Sequence, residues 1–131
     1  MSMDEQASIL VVDDLAQNVR LLEAILAPRG YRVSAANSGR EALAAVASEP
    51  IDLVLLDIVM PEMDGYAVCR ALRAESATSF LPVVMITASG EQEKIAAIEA
   101  GADDFIAKPF DQSELHRGAR LSRGNKQELS D

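Results

Sequence analysis

Five short apolar runs, each closing on or beside a polar residue, alternate along the chain with stretches of helical periodicity. The runs are Ser8–Asp13 (SILVVD), Tyr31–Ala36 (YRVSAA), Asp52–Asp57 (DLVLLD), Pro82–Thr87 (PVVMIT) and Asp104–Lys108 (DFIAK). The first, third and fourth are apolar with little alternation, the pattern of parallel strands covered on both faces. Helical segments fall between them at Leu15–Ala27, Gly39–Ser48, Tyr66–Ala74, Glu91–Ala100 and Asp111–Leu121. Such βα alternation predicts an α/β fold, a doubly wound and mostly parallel sheet with helices on both faces.

The punctuation agrees. Leu15, Val19, Leu22 and Leu26 repeat at helical spacing and predict one buried face. Pro28 and Gly30 close that helix, and Gly101 stops the fourth. Ser38-x-x-Glu41 and Ser89-x-x-Gln92 have the form of a capping box, and Asp14-x-x-Gln17 offers another N-cap. The fifth helix is the weakest, with Gly118 inside it and only Leu115, Ala119 and Leu121 as a stripe. Three segments follow: an N-terminal extension (1–7), one globular domain (8–121) and a polar tail or start of a linker (122–131).

Composition narrows the function. Twelve Lys and Arg against 21 Asp and Glu leave a net charge of −9. That argues against direct nucleic-acid binding, whose affinity comes largely from cationic contacts to phosphate, and against an anionic membrane surface. The N-terminal MSMDEQAS carries acids where a signal peptide needs basic residues, and no apolar run is long enough to span a bilayer. A lone cysteine, Cys69, suits a reducing cytoplasm.

In open α/β sheets ligands bind outside the carboxyl ends of the strands. Asp13 and Asp14 follow the first strand, Asp57 ends the third, Thr87 ends the fourth and Lys108 follows the fifth. If the first and third strands are neighbours, these groups share one rim. Three carboxylates so close cannot all stay ionised without compensation, so either one is protonated or a cation sits among them. The all-oxygen set suits Mg²⁺, whereas one cysteine and one histidine (His116) make a poor zinc set. With Lys108 and Thr87 facing it, Asp57 has the surroundings of a nucleophile for phosphoryl transfer. Ala88 leaves room for the incoming group.

VVDD (11–14), LLDIVMPEMDG (55–65), ITA (86–88) and FIAKPF (105–110), in this order and each at a strand end, carry a resemblance. The chain resembles the receiver domains of two-component response regulators, the CheY-like superfamily, over Ser8–Leu121. The resemblance implies a flavodoxin-like (βα)5 fold with five parallel strands in the order 2-1-3-4-5. It implies that Asp57 accepts a phosphoryl group from a phosphohistidine on a sensor histidine kinase or phosphotransfer protein. Mg²⁺ would be held by Asp13, Asp14, Asp57 and the backbone carbonyl of Val59. Lys108 would contact the phosphoryl group, ahead of a cis bond to Pro109. Thr87 and Phe105 would be the switch pair, changing the surface of helix four, strand five and helix five that controls an attached or separate effector.

Further expectations come from the same source. Val59 and Ser89 occupy positions that modulate phosphoryl lifetime, and an apolar Val59 implies slow to moderate self-dephosphorylation. A homodimer is compatible with the family, although the weakly apolar fifth helix argues against the standard one through this face. Three rivals fit less well. A haloacid dehalogenase-type phosphatase wants an acid where Val59 stands. A flavin carrier wants phosphate donors where Asp13 and Asp14 stand. A receiver-like interaction module without phosphorylation has no need of the full polar set.

Overall fold

The computed structural model describes residues 6–88 and 90–130, the side chains of 124–130 excepted. Its elements run β1 (Ser8–Val12), α1 (Ala16–Leu26), a 3-10 turn (Ala27–Arg29), β2 (Arg32–Ala36), α2 (Gly39–Ser48), β3 (Leu53–Asp57), α3 (Gly65–Ala74), β4 (Val83–Thr87), α4 (Glu91–Glu99), β5 (Asp104–Ala107) and α5 (Gln112–Ser130). The five strands form one parallel sheet in the order β2-β1-β3-β4-β5. This is the flavodoxin-like (βα)5 architecture, and it makes β1 and β3 neighbours, with Val12 opposite Leu56.

Burial explains the strand pattern. β1, β3 and β4 are buried at every position because helices cover both faces. Leu10, Val12, Leu56 and Met85 pack on one face with Cys69 and Leu72 of α3. Ile9, Val11, Leu55 and Ile86 pack on the other with Leu22 and Leu26 of α1 and Leu115 of α5. Each such side chain contributes about 1.5–3 kcal/mol on burial.

The amino end of the sheet is closed by satisfied polar groups. Ser8 N–H donates to Asp52 Oδ2 at 2.8 Å. Arg73 on α3 donates to Gly101 O (2.9 Å), Leu81 O (2.7 Å) and Asp103 Oδ2 (2.8 Å). Val83 N–H donates to the same Asp103 oxygen at 2.8 Å. Gly101 (φ +106°) ends α4, with its N–H on Ile98 O and the Ala102 N–H on Ala97 O, the paired bonds of a Schellman stop.

Some local expectations change. Leu15 is the N-cap of α1 and 51% exposed, so the buried face consists of Val19, Leu22 and Leu26. Asp14 does not cap that helix; Asp13 Oδ1 instead accepts the Leu15 N–H at 2.9 Å. Ser38 caps α2 through the Glu41 N–H, but Glu41 reaches back to the N–H of Asn37 rather than Ser38. Ser89 lies outside the described residues, and the N-cap of α4 is Gly90. Residues 1–5 of the N-terminal extension and Asp131 also lie outside them.

α5 continues past Leu121, which is half-exposed. Its inner side is Leu115, His116, Gly118, Ala119 and Ser122, all buried. Gly118 belongs there because a Cβ would meet Ile106 Cδ1 at 3.2 Å and Val84 Cγ1 at 3.3 Å. Arg123 extends the contact beyond Leu121, stacking 4.5 Å over the Tyr31 ring and donating to Arg29 O at 3.2 Å. Burial, with Arg29 and Arg120 nearby, pushes His116 below its ordinary 6.5.

Candidate functional site

A parallel sheet delivers the carboxyl ends of all its strands to one rim, and there the polar residues gather. Asp13 follows β1 and is 2% exposed, with its N–H continuing the ladder to Ala36 O at 3.1 Å. Its Oδ1 accepts the Leu15 N–H and its Oδ2 accepts Asn18 Nδ2 at 3.1 Å. Asp14, next along, is exposed. Asp57 is the last residue of β3 and is buried. One carboxylate oxygen from each of Asp13, Asp14 and Asp57 lies within 4.8 Å of the others.

The cation of the rim is Lys108, whose Nζ stands 3.5 Å from Asp57 Oδ1. Its backbone N–H donates to Thr87 O at 2.8 Å, which ties the end of β5 to the end of β4, and its bond to Pro109 is cis. Thr87 is fully buried, and its Oγ1 has no hydrogen-bond partner among the described residues. A buried hydroxyl without a partner is costly, so this one at the end of β4 calls for an explanation. Ala88 is exposed, and its N–H donates to Glu93 Oε1 of α4 at 3.0 Å.

Electrostatics follow from this crowding. Burial lifts Asp57 above the ordinary 3.8, and the charge of Asp13 adds to it. Lys108 pulls the other way through charge and hydrogen bonding, while Asp14 raises it further. Three carboxylates, one of them open to water, form an all-oxygen donor set of the kind that Mg²⁺ takes while keeping several waters. The residues present therefore fit a hard divalent cation.

The loop from β3 to α3 shapes the far wall. Gly65 N–H donates to Ile58 O at 2.9 Å, and a Cβ on Gly65 would stand 2.5 Å from Asp57 O. Only glycine permits that approach. Val59 lies in this loop and is 71% exposed. On the other side, Asp13, Asn18, Leu21, Leu22, Ile86, Ala88, Lys108, Pro109 and Phe110 line a pocket of about 470 Å³.

Phe105 stands apart from this cluster. It pairs in register with Met85, so it shares the α4-facing side of the sheet with Met85 and Thr87. It is half-buried, with Lys94 Nζ of α4 5.4 Å from its ring centroid. Sequence reasoning brought Asp13, Asp14, Asp57, Thr87, Ala88 and Lys108 to one rim, and the structure places them there. It missed Asn18 and Glu93, whose bonds join a helix to a strand end. The only sequence signal for Asn18 was a polar side chain in the first turn of a helix that follows two aspartates.

Residues 9–120 match the sequence profile of the response regulator receiver domain. The chain belongs to that family. Response regulator PleD of Caulobacter vibrioides is 49% identical over 115 residues, 87% of this chain and 25% of PleD. Transcriptional regulatory protein ResD of Bacillus subtilis is 42% identical over 116 residues, 88% of this chain and 47% of ResD. The receiver domain thus spans a quarter to a half of the length of these relatives. The receiver domain of a sensor histidine kinase from Pseudomonas aeruginosa, solved with a magnesium ion coordinated in its active-site cleft, superposes with a TM-score of 0.83. That pair is 32% identical and covers 91% of this chain and 98% of the other. Receiver domains are signalling modules of two-component systems rather than metabolic enzymes, and they work with histidine kinases and effector domains. Among the described residues no helix is long and apolar enough to cross a membrane.

Proposed function

We propose that this receiver domain is a cytoplasmic, phosphorylation-dependent switch with Asp57 as its phosphoacceptor. The observation that carries the reading is one rim on which three carboxylates converge within 4.8 Å, with Lys108 3.5 Å from Asp57 and a Thr87 hydroxyl that has no partner among the described residues. A carboxylate oxygen of Asp57 attacks the phosphorus of a phosphohistidine on a sensor kinase or phosphotransfer protein. The new O–P bond forms as the P–N bond breaks, and the imidazole nitrogen keeps the electron pair and takes a proton. Asp13, Asp14, Asp57 and the backbone carbonyl of Val59 are the residues that would hold Mg²⁺. When bound, the cation offsets negative charge on the phosphoryl oxygens.

The chain's own groups do the rest. Lys108 exchanges its pairing with Asp57 for a phosphoryl oxygen. Thr87 donates its hydroxyl hydrogen bond to that group, and Ala88 leaves space beside it. Phe105, on the same face as Thr87, turns inward in step, which alters the surface of α4, β5 and α5 where Ile95 and Ile98 are exposed. The state of that surface is read by an effector, attached or separate. Val59 cannot orient an attacking water by hydrogen bonding, so self-dephosphorylation is slow to moderate.

Intact mass after incubation with acetyl phosphate tests this directly. Wild type gains a single Mg²⁺-dependent phosphoryl adduct, and Asp57→Asn gains none. A wild type that binds Mg²⁺ yet forms no adduct with small donors or a phosphorylated phosphotransfer protein would instead be an interaction module.

A further inference from the structure

Asp13 is held at two points, and only one of them belongs to the backbone. The Leu15 N–H fixes Oδ1 at 2.9 Å, while Asn18 Nδ2 fixes Oδ2 at 3.1 Å. A carboxylate pinned at one oxygen can still pivot about that contact; the second donor sets its plane. Each oxygen keeps further lone-pair capacity, so both bonds are compatible with a cation on the remaining side.

The chemical type of the donor matters as much as its place. Lys108 brings a positive charge to Asp57. An ammonium or guanidinium at position 18 would likewise compete with a cation for Asp13. The Asn18 carboxamide orients the carboxylate without neutralising it. Asn18 also stands in the first turn of α1, where a side chain ordinarily serves the helix's own exposed N–H groups. Here its amide points back to the strand end, and Asp13 itself takes the N–H of the N-cap residue Leu15. The rest of Asn18 lines the pocket beside Asp13 and Lys108.

We propose that Asn18 is a positioning residue of the acidic rim, holding the Asp13 carboxylate in the plane from which it binds a divalent cation. This rests on reading Asp13 as a metal ligand. Groups that orient metal ligands through hydrogen bonds are typically worth about 10–100-fold in metal affinity.

Isothermal titration with Mg²⁺, paired with urea unfolding in EDTA, tests it on three proteins. Wild type binds Mg²⁺; Asn18→Leu, with the same branching, no amide and good helix propensity, binds about tenfold more weakly. Ala16→Gly is the control, because it loosens the same helix start without touching Asp13. It lowers the unfolding midpoint in EDTA and leaves Mg²⁺ affinity at the wild-type level. The inference is overturned if Asn18→Leu binds Mg²⁺ within twofold of wild type, or if Ala16→Gly loses as much affinity as Asn18→Leu. A wild type that binds no Mg²⁺ overturns the metal reading itself, and the inference with it.

Discussion

Asp57 is a carboxylate placed where ionisation is unfavourable. Burial and the neighbouring Asp13 raise its proton affinity above the ordinary 3.8, and Lys108 offsets only part of this. Between the ordinary value and the raised folded one, the folded protein binds more protons than the unfolded chain. Stability therefore falls as pH rises through that window, and the deficit persists at neutral pH. Asp57→Asn in EDTA is expected to unfold at higher urea than wild type at pH 7, with the gain shrinking as the pH approaches 3.8. A variant less stable than wild type under those conditions would mean that the Lys108 pair outweighs desolvation. At this scale the sequence was informative wherever a polar residue ended an apolar run, as with Asp57 and Thr87. The bonds of Asn18 and Glu93 were not legible in it, because a bond from a helix turn to a strand end depends on how the helix is docked.

At the scale of elements, the loop between β3 and α3 has one position without latitude. A Cβ at Gly65 would stand 2.5 Å from Asp57 O and 2.9 Å from Ile58 Cα, and backbone atoms cannot swing aside as a side chain can. Gly65→Ala is expected to cost about 1–3 kcal/mol in urea unfolding and to slow acetyl phosphate labelling of Asp57 even at saturating Mg²⁺. Labelling at the wild-type rate would show that the loop absorbs the methyl without moving the acceptor. Strand positions were legible because β1, β3 and β4 are buried on both faces and so cannot tolerate polar interruption. Helix ends were less so. Asp14 had the composition of a cap, yet the preceding aspartate took the Leu15 N–H. The end of α5 was placed too early because its anchor, Arg123 on Tyr31, joins residues far apart in sequence.

For the whole molecule, the rim is assembled from segments that meet only in the folded sheet, since Asp13 follows β1, Asp57 ends β3 and Lys108 follows β5. A cation that binds this set and not the unfolded chain stabilises the protein by mass action, by about 2.7 kcal/mol at a hundred times its dissociation constant. Thermal melting should therefore rise with Mg²⁺ in wild type, and much less in Asp13→Asn or Asp57→Asn. An equal rise in all three proteins would place the binding elsewhere.

The two ends of the sheet differ in what they have left to give. At the amino end, Asp52 is committed to the Ser8 N–H, and Arg73 to Gly101 and Asp103, so any rearrangement there must first break existing bonds. At the carboxyl end, the Thr87 hydroxyl has no partner among the described residues and Lys108 reaches Asp57 only at 3.5 Å. The carboxyl end thus keeps spare bonding capacity of its own. A new group arriving there can take up that capacity while the amino-end bonds are kept.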